Sequence, residues 1–126
     1  MTDRVTIRWR VLTWNVRGAH RPDLEQIAQA RRVAELVQQE AAPVAVVGGD
    51  LNTHSHDLAE IVCEFHAAGL ADPTGDSTSP AIAPCQRLDM VLVPARARII
   101  DQRTPGGGEE WSAISDHLPV LVEFEV

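Results

Sequence analysis

The sequence predicts a mixed α/β (α+β) fold, and three observations carry that expectation. Residues 5–16 and 118–126 alternate apolar and polar side chains with the period of half-buried strands. Residues 22–40 and 55–69 combine good helix formers with capping residues at their ends. Between and after these lie short apolar runs at 44–47 and 88–93, the signature of buried strands. At 126 residues, 44% hydrophobic and 23% charged, the chain is one domain's worth of soluble globular composition.

The first strand sets Val5, Ile7, Trp9 and Val11 against Thr6, Arg8 and Arg10, then turns apolar on both faces at Leu12 and Trp14. Its second half therefore enters the core, and it ends in a turn at Asn15-Val16-Arg17-Gly18. Pro22 opens a helix, with Asp23 and Glu25 near its positive end. The apolar pattern of that helix changes phase. At about 100° per residue, Leu24, Ile27 and Ala28 share one face, while Val33, Leu36 and Val37 centre near the opposite one. Either the helix is buried on two sides or kinked near Ala30, or two once-separate helices have been joined.

Val44–Val47 is a short strand that runs into Gly48-Gly49-Asp50-Leu51-Asn52. Thr53 or Ser55 can cap the next helix, whose stripe is Leu58, Ile61, Val62 and Phe65 and whose end is Gly69. Residues 71–86 are rich in Pro, Ser, Thr and Asp and read as loop. Leu88–Val93 is a strand, with Ala97–Ile100 as a candidate partner, and Pro105–Gly108 is a flexible connection. The last strand turns Val120, Val122, Phe124 and Val126 to one side and Leu121, Glu123 and Glu125 to the other.

Charge narrows the function classes. Eleven basic residues against 18 acidic ones leave a net charge of −7. The overall field repels polyanions, which disfavours tight non-specific nucleic-acid binding, although Arg4, Arg8, Arg10, Arg17, Arg21, Arg31 and Arg32 could form a local basic patch. The apolar run Pro43–Val47 is too short to span a bilayer, and Met1–Val5 has no secretory character, so the expected location is cytoplasmic. Cys63 and Cys85 have no metal-binding spacing and are read as reduced.

Four segments place metal-competent side chains where an apolar strand begins or stops: Trp14-Asn15, Gly49-Asp50-Leu51-Asn52, Arg87-Leu88-Asp89 and Ser115-Asp116-His117. Strand ends on a rigid sheet can aim several side chains into one pocket. Asn and Asp oxygens suit a hard divalent cation, and a His beside a carboxylate can move a proton. Each segment alone has an ordinary structural explanation as a turn, a helix cap or the start of a strand. Asp89, inside an apolar segment, is the exception, because burying an unpaired carboxylate is costly.

Together and in this order, Trp14-Asn15-Val16-Arg17-Gly18, Gly49-Asp50-Leu51-Asn52, Arg87-Leu88-Asp89-Met90-Val91-Leu92 and Ser115-Asp116-His117-Leu118-Pro119-Val120 resemble the signature motifs of the endonuclease/exonuclease/phosphatase superfamily. The resemblance runs from Arg31 to Val126 and, for the first strand and the start of the first helix, over residues 5 to about 28. It implies a four-layer α/β/β/α sandwich and hydrolysis of phosphodiesters or phosphomonoesters assisted by Mg²⁺, with Mn²⁺ as an alternative ion. Carried over by position, Asn15 and Asp116 would hold the metal. Asp50 and Asn52 would orient or deprotonate the attacking water, His117 would act at the phosphate, and Asp89 would hydrogen-bond His117.

The same comparison shows what is missing. Members of that superfamily carry several strands between the first helix and the helix before the Gly-Asp-Leu-Asn motif, among them a Gln-Glu motif whose Glu ligates the metal. Here the chain passes from Ile27-Ala28 to Arg31-Arg32-Val33-Ala34 with no room for those strands, which places an internal deletion near residues 28–31 of a single 1–126 domain, where the helix changes phase. Gln39-Glu40 repeats the missing dipeptide but lies at a helix end, and His54 and His56 fit a loop or helix cap better than a metal site. The resulting expectation is a weakened metal-dependent phosphoesterase; the rival is an inactive remnant serving as a binding or assembly module. Uncovered strand edges further predict a homo-oligomer.

Overall fold

A computed structural model describes residues 6–13, 26–40, 44–51 and 58–126. In chain order the elements are β1 (Arg8–Thr13), α1 (Gln26–Glu40), β2 (Val47–Asp50), α2 (Leu58–Ala67), β3 (Leu70–Ala71), β4 (Asp89–Pro94), β5 (Arg98–Arg103), α3 (Glu109–Ser112) and β6 (Val120–Glu125). The α+β class is as predicted. The strands form two antiparallel three-stranded sheets, ordered β1-β6-β5 and β2-β4-β3.

Strand β4 lies between two cores. Its run Met90-Val91-Leu92-Val93 has no polar residue because neither face meets water: every residue from Asp89 to Pro94 is buried. Leu92 packs with Ala30, Ala34, Ile61, Phe65 and Leu70 on the helical side. Val91 and Val93 pack on the other side against Val120, Val122 and Phe124 of β6. The layers are therefore helices, then β2-β4-β3, then β1-β6-β5. Strand β6 keeps the alternation of its sequence, with Val120, Val122 and Phe124 buried and Leu121, Glu123 and Glu125 turned to the outer face. There Arg10 pairs with Glu123 at 3.2 Å, and Glu125 pairs with Arg8 at 3.3 Å and Arg98 at 2.6 Å. Exposed pairs of this kind add little stability, but they keep the outer face compatible with water.

The helices depart from expectation in their detail. Helix α1 runs unbroken from Gln26 to Glu40, across the place where the sequence suggested a kink. Its buried stripe is Ala30 and Ala34 with Val37 half-buried, at i, i+4 and i+7, whereas Val33 and Leu36 remain exposed. Ala30 and Ala34 pack with Ile61 and Phe65 of α2, Arg31 reaches Glu64 at 3.0 Å, and the Gln38 amide donates to the Ala67 carbonyl at 3.1 Å. Helix α2 buries Ile61 and Phe65 from its predicted stripe. It ends at Ala67, and the turn that follows includes Gly69, whose φ of +84° is open to glycine at no steric cost.

Strand β2 is displaced toward the C-terminus of its predicted run, pairing from Val47 to Asp50 rather than ending at Val47. Strand β3 was not expected and overlaps the predicted loop at Ala71; it exists only because Leu70 and Ala71 pair with Pro94 and Val93. Among the described residues no helix is long and apolar enough to cross a membrane.

Phe124 is fully buried between the sheets, so Phe124→Ala should cost about 3–5 kcal/mol of stability. Leu36, 43% exposed, should tolerate Leu36→Gln within about 0.5 kcal/mol. Urea unfolding midpoints check both; a large loss at Leu36 would place the buried face of α1 elsewhere.

Candidate active site

The pairing of β2 with β4 sets Asp50 directly opposite Asp89. Two like charges at facing positions of an antiparallel pair are destabilising, so this register is not explained by stability alone. Gly49, at φ +149°, gives the chain a conformation that other residues rarely adopt immediately before Asp50. Just past it, the Leu51 amide donates to the Leu88 carbonyl at 2.9 Å and closes the strand end.

His117 comes from the third direction, in the segment leading into β6. Its Nδ1 lies 2.7 Å from Oδ2 of Asp89, and its Nε2 lies 3.9 Å from Oδ2 of Asp50. The His117 amide donates to Ser115 Oγ at 3.2 Å, which steadies the turn before the strand. Ligand atoms of Asp50, Asp89 and His117 all fall within 4.8 Å of one another. Two carboxylates and an imidazole at that spacing can share a divalent cation or carry a proton between a substrate and the protein.

Asp89 is 1% exposed. Burial pushes its carboxyl above the ordinary value, helped by the nearby charge of Asp50, while hydrogen bonds from Thr78 and His117 offset only part of that cost. One oxygen, Oδ2, takes both hydrogen bonds; Oδ1 is buried without a hydrogen-bond partner among the described residues. Thr78, fully buried, places its hydroxyl 2.6 Å from Oδ2. Sequence reading missed this threonine, because it lies in a polar loop and no local signal marks it as buried. The loop is braced from below by Arg87, which binds both carboxylate oxygens of Asp72.

The residues weighed in the sequence divide into those that meet, those that stand apart and those outside the described residues. Asp50, Asp89 and His117 come together. Asp116 is exposed and stands outside their cluster, its backbone carbonyl accepting from the Ala81 amide at 2.6 Å. Asn15 and Asn52, with His54 and His56, lie outside the described residues. Glu40 is exposed at the end of α1.

No protein-family model matches the chain, and no curated protein matches it. Solved structures do. An endonuclease/exonuclease/phosphatase from Bacteroides vulgatus superposes with a TM-score of 0.60 at 22% identity over 79% of this chain and 44% of its own. The mannosyl-6-phosphatase of Bacteroides thetaiotaomicron gives 0.56 at 20% identity over 79% and 45%. An endonuclease/exonuclease/phosphatase family protein from the same organism gives 0.52 at 19% identity, over 79% and 44%. The chain therefore has part of the endonuclease/exonuclease/phosphatase fold, as its motifs suggested, and it spans less than half the length of these proteins.

Because the native carboxyl of Asp89 holds its proton to higher pH than the unfolded one, the native state binds more protons across the interval between the two values. Stability should fall as pH rises through that interval and stay reduced above it. Asp89→Asn lacks this penalty, so its melting temperature should exceed the wild type's at pH 7, with the advantage shrinking as pH drops toward about 4, the ordinary Asp value. Thermal melts of both proteins at several pH values check the sign.

Proposed function

We propose that this chain is a shortened member of the endonuclease/exonuclease/phosphatase superfamily that hydrolyses phosphoesters with a divalent cation, Mg²⁺ or Mn²⁺. One observation carries the reading: Asp50, Asp89 and His117, drawn from three separate strand ends, meet around a buried carboxylate–imidazole pair. Such an arrangement costs stability and has no packing purpose. The fold similarity to phosphatases and nucleases gives it a chemical context.

In this reading Asp89 holds the His117 ring by Nδ1, so that Nε2 is the atom directed toward the reacting phosphate, where it binds or protonates an oxygen. Asp50, beside Nε2, orients the attacking water or takes its proton, together with Asn52. Within that 4.8 Å cluster the carboxylate oxygens suit a divalent cation, for which Asp116 and Asn15 are the further ligands implied by the motifs. When bound, the ion would neutralise charge developing on the phosphate.

The unbroken helix α1 supports a further part of the reading: one domain in which an internal deletion near residues 28–31 has fused two helices into one. The fused helix buries its alanines on α2 and leaves Val33 and Leu36 outside.

Release of nitrophenolate from p-nitrophenyl phosphate and bis-p-nitrophenyl phosphate tests the activity and separates monoester from diester hydrolysis. Turnover should require added Mg²⁺ or Mn²⁺ and cease with EDTA. His117→Ala and Asp50→Ala should each lower the rate roughly 10²–10⁴-fold, the usual contribution of a positioned acid or base. No metal-dependent turnover, or a His117→Ala protein as active as the wild type, would refute the proposal.

A further inference from the structure

Thr78 is fully buried, yet its side chain makes three polar contacts whose directions can be worked out. The Leu88 and Asp89 amides both lie 3.2 Å from its Oγ1, and an amide N–H can only donate. Those two bonds occupy the lone pairs of the hydroxyl. Its proton is left with one acceptor, Asp89 Oδ2 at 2.6 Å. That length falls in the range of about 2.5–2.7 Å expected for a hydroxyl donating to an ionised carboxylate oxygen.

The consequence reaches His117. An ionised Oδ2 has no proton to give, so the 2.7 Å contact to the ring is Nδ1–H donating to Oδ2. Without Thr78, the same oxygen could carry a proton of its own and donate it to Nδ1, which would reverse the ring's polarity. We propose that Thr78 is a positioning residue that fixes the tautomer of His117: it aims a hydroxyl proton at Asp89 Oδ2, stabilises that oxygen as the ionised acceptor of Nδ1–H, and leaves Nε2, on the Asp50 side, as the nitrogen that takes up and gives back a proton.

Main-chain contacts of the same segment serve a separate purpose. The Thr78 carbonyl accepts from the Leu118 amide at 2.7 Å, and the Ala81 amide donates to the Asp116 carbonyl at 2.6 Å, so the backbone on both sides of His117 is held independently of the threonine side chain. Substituting the side chain alone can therefore separate orientation of the ring from placement of the loop. The catalytic part of the inference rests on the proposed role of His117 in phosphoester hydrolysis; the tautomer does not.

The test has two arms. Nitrogen-15 spectra of the wild-type protein, at a pH where the ring is neutral, should show His117 protonated at Nδ1; protonation at Nε2 overturns the inference regardless of activity. Thr78→Val, nearly isosteric, should shift the ring away from the Nδ1–H form and lower kcat for the nitrophenyl ester by about 10–100-fold, the usual effect of losing a carboxylate-orienting partner, with KM little changed. Thr78→Ser should restore both the spectrum and the rate. A folded Thr78→Val protein with the wild-type spectrum and kcat, or a Thr78→Ser protein that is no better than Thr78→Val, counts against Thr78. If Thr78→Val does not fold, the wild-type spectrum and Thr78→Ser still decide. An inactive wild type with the Nδ1–H tautomer would sink the proposed function and leave the role of Thr78 standing.

Discussion

Strand β4 has no side that faces water, and most of the structure is arranged to satisfy it. Its flanking strands β2 and β3 take its backbone hydrogen bonds, α1 and α2 cover one face, and β6 covers the other. A strand enclosed in this way cannot slip, because a shift by one residue would exchange the two faces and bring Asp89 into an apolar layer. Its first residue is therefore held as firmly as any in the molecule. That residue is the carboxylate on which the site is built.

Burying Asp89 at the end of such a strand is expensive, and its neighbours offset only part of the cost. Thr78 and His117 both bind one oxygen, while the other has no hydrogen-bond partner among the described residues. A sequence selected for stability alone would place an apolar residue here. The unfavourable facing of Asp50 and Asp89 points the same way. Strain of this kind, concentrated where strands end and compensated by the cores behind them, is the usual relation between a rigid scaffold and a working site.

The solved structures of similar fold are longer, which raises the question of how the outer faces of the described residues are satisfied. Part of the answer is on the outer face of β1-β6-β5, where Arg8, Arg10 and Arg98 meet Glu123 and Glu125 instead of an apolar layer. A charged face needs no cover. The other part is α1, whose two alanines let it settle against α2 and the β4 sheet. Leu12 on β1 and the neighbours Val33 and Leu36 on α1 remain exposed.

Much of this was legible in the sequence where the information is local. The alternation of Val120, Val122 and Phe124, the unbroken apolar run of β4 and the stripe of Ile61 and Phe65 each reflect the period of one element against one environment. Asp50, Asp89 and His117 were legible as well, because each stands where such a pattern starts or stops. What the tertiary structure alone decided depends on contacts between distant segments. The buried side of α1 is the one that packs with Ile61 and Phe65 of α2, and it carries Ala30 and Ala34 and not the more hydrophobic Val33 and Leu36. Strand β3 exists only as a partner of β4. His117 is buried and Asp116 exposed, although they are adjacent in the chain. Thr78 reads as one polar residue in a polar loop until folding carries it against a carboxylate 11 residues away, because burial is a property of what surrounds a side chain and not of the side chain itself.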